Sequence, residues 1–156
     1  MNKPAAISDF TFSTDWRVRF NEVDLQGVVH HSEIIKYFEI ARIEYWRCLG
    51  LSYAEFRKAG YEFVVARIDC DFIKPLHFDE TIRVYVRTSA VSRTSISLNY
   101  LILDEGREPA VCGNTLMVCV RVGIGKPFKL PDSYLETVRT YEKAGTVEIK
   151  SSRDVR

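Results

Sequence analysis

An acid, a glycine and two adjacent histidines occur within one stretch of ten residues, 22–31, which reads EVDLQGVVHH. An aspartate such as Asp24 can attack an acyl carbon or activate a water molecule. Gly27 can adopt a positive φ and lets the backbone approach a ligand closely. A long apolar segment follows directly, so we expect these residues to meet the start of a helix.

The N-terminus of that helix can itself bind a negatively charged or polarised oxygen. Ser32 is a suitable N-cap, and we predict a helix that runs to about Leu49 and ends at Gly50. The first N–H groups of a helix lack partners within the helix and carry partial positive charge. Such an end can hold a carboxylate, a phosphate or the oxygen of a polarised carbonyl. An acid beside it could therefore act on an acyl group.

Structural interpretations of the same residues are also open. An aspartate before a helix is most often a cap or turn residue, and a glycine most often forms a turn. His30 and His31 are adjacent, so their side chains point in different directions, and no third ligand cluster accompanies them. A metal site is therefore not expected. Glu39 and Glu44, inside the helix, are expected to form ion pairs with nearby arginines.

The bulk composition excludes several classes of protein. The chain has 156 residues, 46% hydrophobic and 28% charged, which fits one globular domain. Its formal net charge of +1 gives no basic field for nucleic acid or an anionic membrane. The four cysteines, at 48, 70, 112 and 119, are expected to be reduced thiols. No apolar run resembles a signal peptide or a membrane span, so we expect a cytoplasmic protein.

Alternating apolar residues predict five strands, and two helices shorter than the first are predicted between and after them. The runs lie at 16–20, 64–72, 82–86, 96–102 and 116–122. In the second run the even-numbered residues from Val64 to Phe72 are expected to share one face. In the last run the even-numbered residues from Leu116 to Val122 are expected to do the same. Helices are predicted at 52–58 and 132–143.

This order predicts an α+β fold in which a five-stranded antiparallel sheet wraps around the long central helix. Residues 15–143 would form the domain, residues 1–14 a flexible arm and residues 144–156 a polar tail. Ile40 and Ile43 lie on the otherwise polar side of the helix, which indicates burial by a second subunit.

The run VRFNEVDLQGVVHHSEIIKYFEIAR, together with Asp71-Phe72, Pro75, His77 and Asp79, carries a family resemblance. It resembles the signature of the hotdog-fold acyl-CoA thioesterases of the 4-hydroxybenzoyl-CoA thioesterase type. The similarity spans roughly residues 14–143 and agrees with the order of helices and strands predicted above. In a hotdog fold the sheet wraps the central helix.

The resemblance implies hydrolysis of an acyl-CoA to the free acid and CoA. By motif, Asp24 would be the nucleophile or the base that activates water, and the backbone N–H of His31 would polarise the thioester carbonyl. Gly27 would permit the tight approach. Tyr37 would line the acyl pocket. No metal and no redox cofactor would be needed, since CoA is part of the substrate.

Binding and assembly follow from the same resemblance. Val64 and Val65 would border the acyl pocket, and Lys126 and Lys129 would contact the CoA phosphates. The family forms dimers with a continuous sheet, often paired into tetramers, and its active sites lie at the dimer interface. The partners expected are therefore an acyl-CoA and further copies of the chain, with no nucleic acid and no membrane.

Two alternatives are open at this point. Hotdog hydratases and dehydratases use a histidine base with an aspartate close by. A non-catalytic acyl-CoA-binding regulatory module would bind the thioester without turning it over. The acyl group, short or aromatic, and the carrier, CoA or acyl carrier protein, are equally open.

Overall fold

One mixed sheet packed on a long helix forms the core of the molecule. The computed structural model describes residues 6–142 and 146–150. Its strands are β1 (Phe12–Arg17), β2 (Tyr61–Phe72), β3 (Thr81–Val91), β4 (Ser95–Leu103), β5 (Pro109–Arg121) and β6 (Glu148–Ile149). Its helices are α1 (His31–Cys48), α2 (Tyr53–Lys58) and α3 (Asp132–Tyr141). The predicted α+β class is confirmed.

The strand order in the sheet is β1-β3-β4-β5-β2, with every neighbouring pair antiparallel. The two-residue strand β6 pairs in parallel with β3. The antiparallel order follows from the short turns that join β3, β4 and β5, which allow only hairpin connections. Strand β2, which has twelve residues, therefore lies at one edge of the sheet. Its side opposite β5 pairs with no strand among the described residues.

Helix α1 buries one apolar stripe in the core. Ile34, Phe38, Ala41 and Tyr45 are each at most 2% exposed. Phe38 stacks on Tyr100 of β4 with ring centroids 4.3 Å apart. A Cβ atom on Gly113 of β5 would lie 2.4 Å from the Phe38 ring, so only glycine lets the helix approach the sheet this closely.

Two strands bury a different face from the one predicted. In β2 the register shifts between Val65 and Arg67, so a bulge interrupts the alternation. Phe63 is buried there, whereas Val64 is 44% exposed. In β5 the odd-numbered Thr115, Met117 and Cys119 are buried, and of the predicted even-numbered face only Val120 is buried. Both faces of β5 are largely apolar, so the pattern alone could not identify the inner one.

The two ends of the chain also differ from expectation. Strand β1 begins at Phe12, and Phe10 is buried against Leu101 and Leu103, so the chain is packed on the sheet well before residue 15. At the other end β6 pairs with β3 inside the predicted polar tail. Residues 1–5, 143–145 and 151–156 lie outside the described residues. No helix in the described part of the chain is long and apolar enough to cross a membrane.

Candidate active site

The stretch EVDLQGVVHH folds into a tight antiparallel turn at the start of α1. The N–H of His30 donates to the carbonyl of Glu22 at 2.9 Å, and the N–H of Asp24 donates to the carbonyl of Val28 at 2.9 Å. The N–H of Gly27 closes the turn on the carbonyl of Asp24 at 3.0 Å. These bonds fix the position of Asp24 relative to the first residue of the helix.

Gly27 has a φ of 76°. A turn followed by a residue in the left-handed region is the usual three-residue hairpin loop, and glycine adopts that region without strain. A Cβ atom on Gly27 would meet no described atom within 4 Å. The structure therefore requires glycine here for its backbone conformation rather than for space.

The side chain of Asp24 is half-buried, and one of its oxygens takes part in the turn. Oδ1 accepts the N–H of Gln26 at 2.8 Å. Oδ2 has no hydrogen-bond partner within residues 6–142 and 146–150. Asp24 is thus a turn residue, as one interpretation of the sequence expected, and still presents one oxygen that can act on a ligand.

The cap of α1 is His30, and the prediction that Ser32 is the N-cap is wrong. Nδ1 of His30 accepts the N–H of Ser32 at 3.3 Å and lies 2.8 Å from the Ser32 hydroxyl. A histidine that accepts at Nδ1 can replace the usual serine or aspartate oxygen as the cap acceptor. Because the helix begins two residues earlier than a Ser32 cap predicts, His31 is its first residue.

All three histidines of the chain meet at this turn. The rings of His30 and His31 lie 4.0 Å apart between centroids. His77, on the loop between β2 and β3, has Nδ1 3.2 Å from the carbonyl of Gly27. A carbonyl can only accept, so Nδ1 of His77 carries the proton in this contact. The family pattern in the sequence includes His77, but nothing in the sequence joins it to the turn.

The N–H of His31 is available to a ligand. Across the described residues it donates no hydrogen bond, because the first N–H groups of a helix have no carbonyl one turn before them. The side chain of His31 is exposed. Asp24 and this N–H therefore lie at the same end of α1, which brings together an acid and a donor for a developing negative charge.

An apolar cleft of about 300 Å³ adjoins the turn. Val28, Val29 and Ile34 line it on the side of the turn and helix, and residues 72–76 with Val111 line the other side. Lys74 is the one basic residue among the described residues that line it, and its Nζ lies 3.4 Å from Asp104. The sequence pattern did not indicate Lys74, because it stands in a loop with no periodicity.

Tyr37 is buried in the core of the single chain. It is 2% exposed, and its hydroxyl donates to Oε2 of Glu22 at 2.8 Å. Burial and the neighbouring Glu22 carboxylate raise the pKa of Tyr37 far above its usual value, so the hydroxyl keeps its proton. Within one chain Tyr37 therefore has a core position, and its predicted place beside the acyl group stays a prediction.

The predicted binding residues lie away from the turn. Val64 and Val65 are about half exposed on edge strand β2. Lys126 and Lys129 are exposed on the loop before α3, and Lys129 pairs with Asp132 at 2.9 Å. The carbonyl of Lys126 accepts the N–H of Arg121, which pairs with Tyr61, the first residue of β2. The turn that carries Asp24 lies at the other end of β2, beside the residues that follow its last residue, Phe72. In one chain the two lysines and Asp24 are at opposite ends of the sheet.

A larger cavity of about 540 Å³ lies at the far end of α1. Aromatic residues supply much of its lining, namely Trp46, Tyr53, Phe56, Tyr61, Phe63 and Tyr134. Trp46 is fifteen residues after His31, about 22 Å along the helix, so this cavity is separate from the turn within one chain. Across the described residues, no group of three or more His, Cys, Asp or Glu side chains could hold a metal.

Comparison with known proteins gives the class of protein. A relative from Aquifex aeolicus (strain VF5), named "Putative esterase", is 35% identical over 123 residues, which cover 79% of this chain and 94% of the relative. The solved DHNA-CoA thioesterase from Staphylococcus aureus superposes with a TM-score of 0.78 at 28% identity, over 82% of this chain and 88% of that one. A thioesterase from Thermus thermophilus, solved with coenzyme A and zinc, gives a TM-score of 0.75 at 29% identity, over 87% and 97%.

These likenesses define a hotdog-type thioesterase fold, which confirms the predicted architecture. The family model for the thioesterase-like superfamily matches residues 18–138, from the end of β1 to α3. The chain belongs to the thioesterase-like superfamily.

Proposed function

We propose that this chain hydrolyses an acyl-CoA thioester to the free acid and CoA. The observation that carries the proposal is the turn at the start of α1, which brings the carboxylate of Asp24 and the N–H of His31 to one end of the helix. Membership in the thioesterase-like superfamily and the likeness to a thioesterase solved with coenzyme A support the same reaction.

The roles follow from the chemistry of thioester hydrolysis. As general base, Asp24 takes a proton from water while the water oxygen bonds to the acyl carbon. As nucleophile, it forms an acyl anhydride that water then cleaves. In both cases the carbon–sulfur bond breaks, the sulfur leaves as the thiolate and is protonated, and the acyl group gains the oxygen of water. The N–H of His31 stabilises the negative charge on the carbonyl oxygen.

The substrate would lie across the cleft beside the turn. Its apolar lining suits the acyl portion next to the thioester, and its volume is at the small end of ligand sites. Lys74 at its rim is a further candidate for the CoA phosphates. No metal and no redox cofactor enters this mechanism, because a carboxylate, a backbone donor and water suffice.

Two chains would complete the site. If two β2 edges pair antiparallel about a two-fold axis, the first residues of one β2 lie beside the last residues of the other. Lys126 and Lys129 of one chain would then approach the Asp24 turn of its partner. Val64 and Val65 would be buried at the same junction. We therefore propose a dimer, or a tetramer built from dimers, as the active form.

A panel of acyl-CoA thioesters, short aliphatic, long aliphatic and aromatic, tests the function by release of free thiol. We expect saturable hydrolysis of at least one class, with the free acid recovered in equal amount. An enoyl-CoA is included in the panel. Loss of its double bond without thiol release would indicate a hydratase instead, and tight binding of every thioester without turnover would indicate a binding module.

A further inference from the structure

A second acid of the turn, Glu22, is buried, and no cation among the described residues lies within hydrogen-bond range of its carboxylate. Its side chain is 6% exposed, and its Oε2 accepts three donors. These are the N–H of Arg19 at 2.7 Å, the hydroxyl of Tyr37 at 2.8 Å and Nε1 of Trp16 at 3.5 Å. A buried carboxylate is costly unless its oxygens are hydrogen-bonded, so this set of donors fixes its place.

The position of Glu22 links two parts of the site. Its carboxylate is tied to α1 through Tyr37, on the second turn of the helix. Its backbone carbonyl is tied to the helix start through the N–H of His30. Asp24 stands two residues further along the same turn. The carboxylate therefore anchors the segment that leads into the turn to α1, the helix whose first N–H would meet the substrate.

We propose that Glu22 and Tyr37 form a positioning pair that holds Asp24 at its working distance from the N–H of His31. This inference rests on the proposed thioesterase function. Reacting groups must be held within a fraction of an ångström, and a displacement of about 1 Å can cost about 10² in rate. The pair touches neither substrate nor water in this account, and it acts only through the turn.

The same helix provides a matched control. The hydroxyl of Tyr45 donates to Oε1 of Glu142 at 2.5 Å, and both side chains are buried. Tyr45 and Tyr37 therefore have the same residue type, the same kind of partner and similar burial. They are eight residues apart, about 12 Å along α1, and only Tyr37 is joined to the turn.

The test compares Tyr37→Phe with Tyr45→Phe in the full chain. Each change removes one hydrogen bond to a buried carboxylate, and Tyr45→Phe also removes the contact of that hydroxyl with the Thr88 hydroxyl at 2.9 Å. We therefore expect Tyr45→Phe to lower the midpoint of urea unfolding at least as much as Tyr37→Phe. We expect Tyr37→Phe to lower kcat by about 10- to 100-fold with KM within about twofold, since Asp24 acts in the transition state. Tyr45→Phe should leave kcat within about twofold. Glu22→Gln removes the charge that the three donors share. We expect this change to lower kcat as well, in the same direction as Tyr37→Phe.

Hydrogen–deuterium exchange of residues 23–31 gives a second readout that needs no activity. We expect exchange in this segment to become at least about tenfold faster in Tyr37→Phe and to stay unchanged in Tyr45→Phe. Unchanged exchange with wild-type kcat in Tyr37→Phe would overturn the positioning role, as would a change confined to KM, which indicates an acyl-pocket residue. If the wild type hydrolyses no thioester, the proposed thioesterase function is refuted. The comparison of hydrogen–deuterium exchange in the two variants then decides by itself whether Glu22 and Tyr37 hold the turn.

Discussion

The carbonyl of Glu22 accepts the N–H of His30 across the turn, at 2.9 Å, directly before the first residue of α1. The hydrogen bond closes the base of a hairpin in which Asp24 stands directly before the three-residue loop 25–27. An exposed acidic loop is thereby held against a helix end. A carboxylate that is to act on a substrate must be held in a fixed position.

The backbone role of His31 predicts a contrast between two variants. His31→Ala keeps the N–H, so we expect a loss in kcat of less than about tenfold, under about 1.4 kcal/mol of barrier. His31→Pro removes the N–H, and we expect a loss of roughly 10²–10³ in kcat. Proline is tolerated at the first position of a helix, and His30 before it already has the extended backbone that proline demands.

Steady-state kinetics with circular dichroism measures this contrast. Equal, large losses in both variants would mean that the imidazole itself takes part. Equal, small losses would mean that the carbonyl oxygen binds elsewhere, and the helix-end mechanism would have to be abandoned.

The contact between Gly113 and Phe38 predicts a large effect on stability. In Gly113→Ala the new methyl group would overlap the Phe38 ring, and we expect a loss of about 1–3 kcal/mol in the free energy of unfolding. Gly106→Ala is the control, because its Cβ would meet only the flexible Asp104 side chain, among the described residues, in an exposed turn. Urea unfolding of both proteins checks the prediction, and equal stabilities would contradict the close packing of α1 on the sheet.

Edge strand β2 predicts assembly in solution. We expect a light-scattering mass of two or four times the 18.0 kDa monomer at micromolar concentration. Val65→Lys places a charge on that edge and should shift the protein towards monomer. Ile149→Lys changes an exposed residue on β6, away from that edge, and should leave the mass unchanged. A monomeric wild type would contradict the proposed dimer.

The four thiols should differ in reactivity at mildly alkaline pH. Cys48 is exposed, whereas burial raises the pKa of Cys70 and of Cys119 to about 11 and raises the pKa of Cys112 as well. We therefore expect one cysteine to react fast with a disulfide reagent in the native protein and all four in urea. Rapid reaction of two or more native thiols would contradict the burial of these strands. The result also sets the background of the thiol-release assay.

Local signals in the sequence were sufficient for much of the fold. The predicted helix at 52–58 agrees with α2, because Ser52 caps it through the N–H of Glu55. The ion pair expected in α1 between Glu39 and a nearby arginine forms with Arg42 at 3.1 Å. Such features depend on residues three or four apart, which a sequence shows directly.

Local signals in the sequence predict only part of the candidate active site. Asp24 and Gly27 belong to a local turn and could be predicted, although their catalytic roles stay predictions. The histidine cap of α1 was missed because the serine two residues later is a commoner cap. The burial of Glu22 under Trp16 and Tyr37 depends on how β1 packs on the helix, and no local pattern encodes it.

The central claim, that Asp24 performs the chemistry, is tested most directly by Asp24→Asn. Asparagine keeps an oxygen that can accept the N–H of Gln26, so the turn should persist and the midpoint of thermal unfolding should stay close to the wild-type value. The change removes the nucleophile or base, and we expect kcat for the best acyl-CoA of the panel to fall by about 10²–10⁴. A folded Asp24→Asn protein with near-normal kcat would contradict the account and leave Asp24 as a turn residue alone.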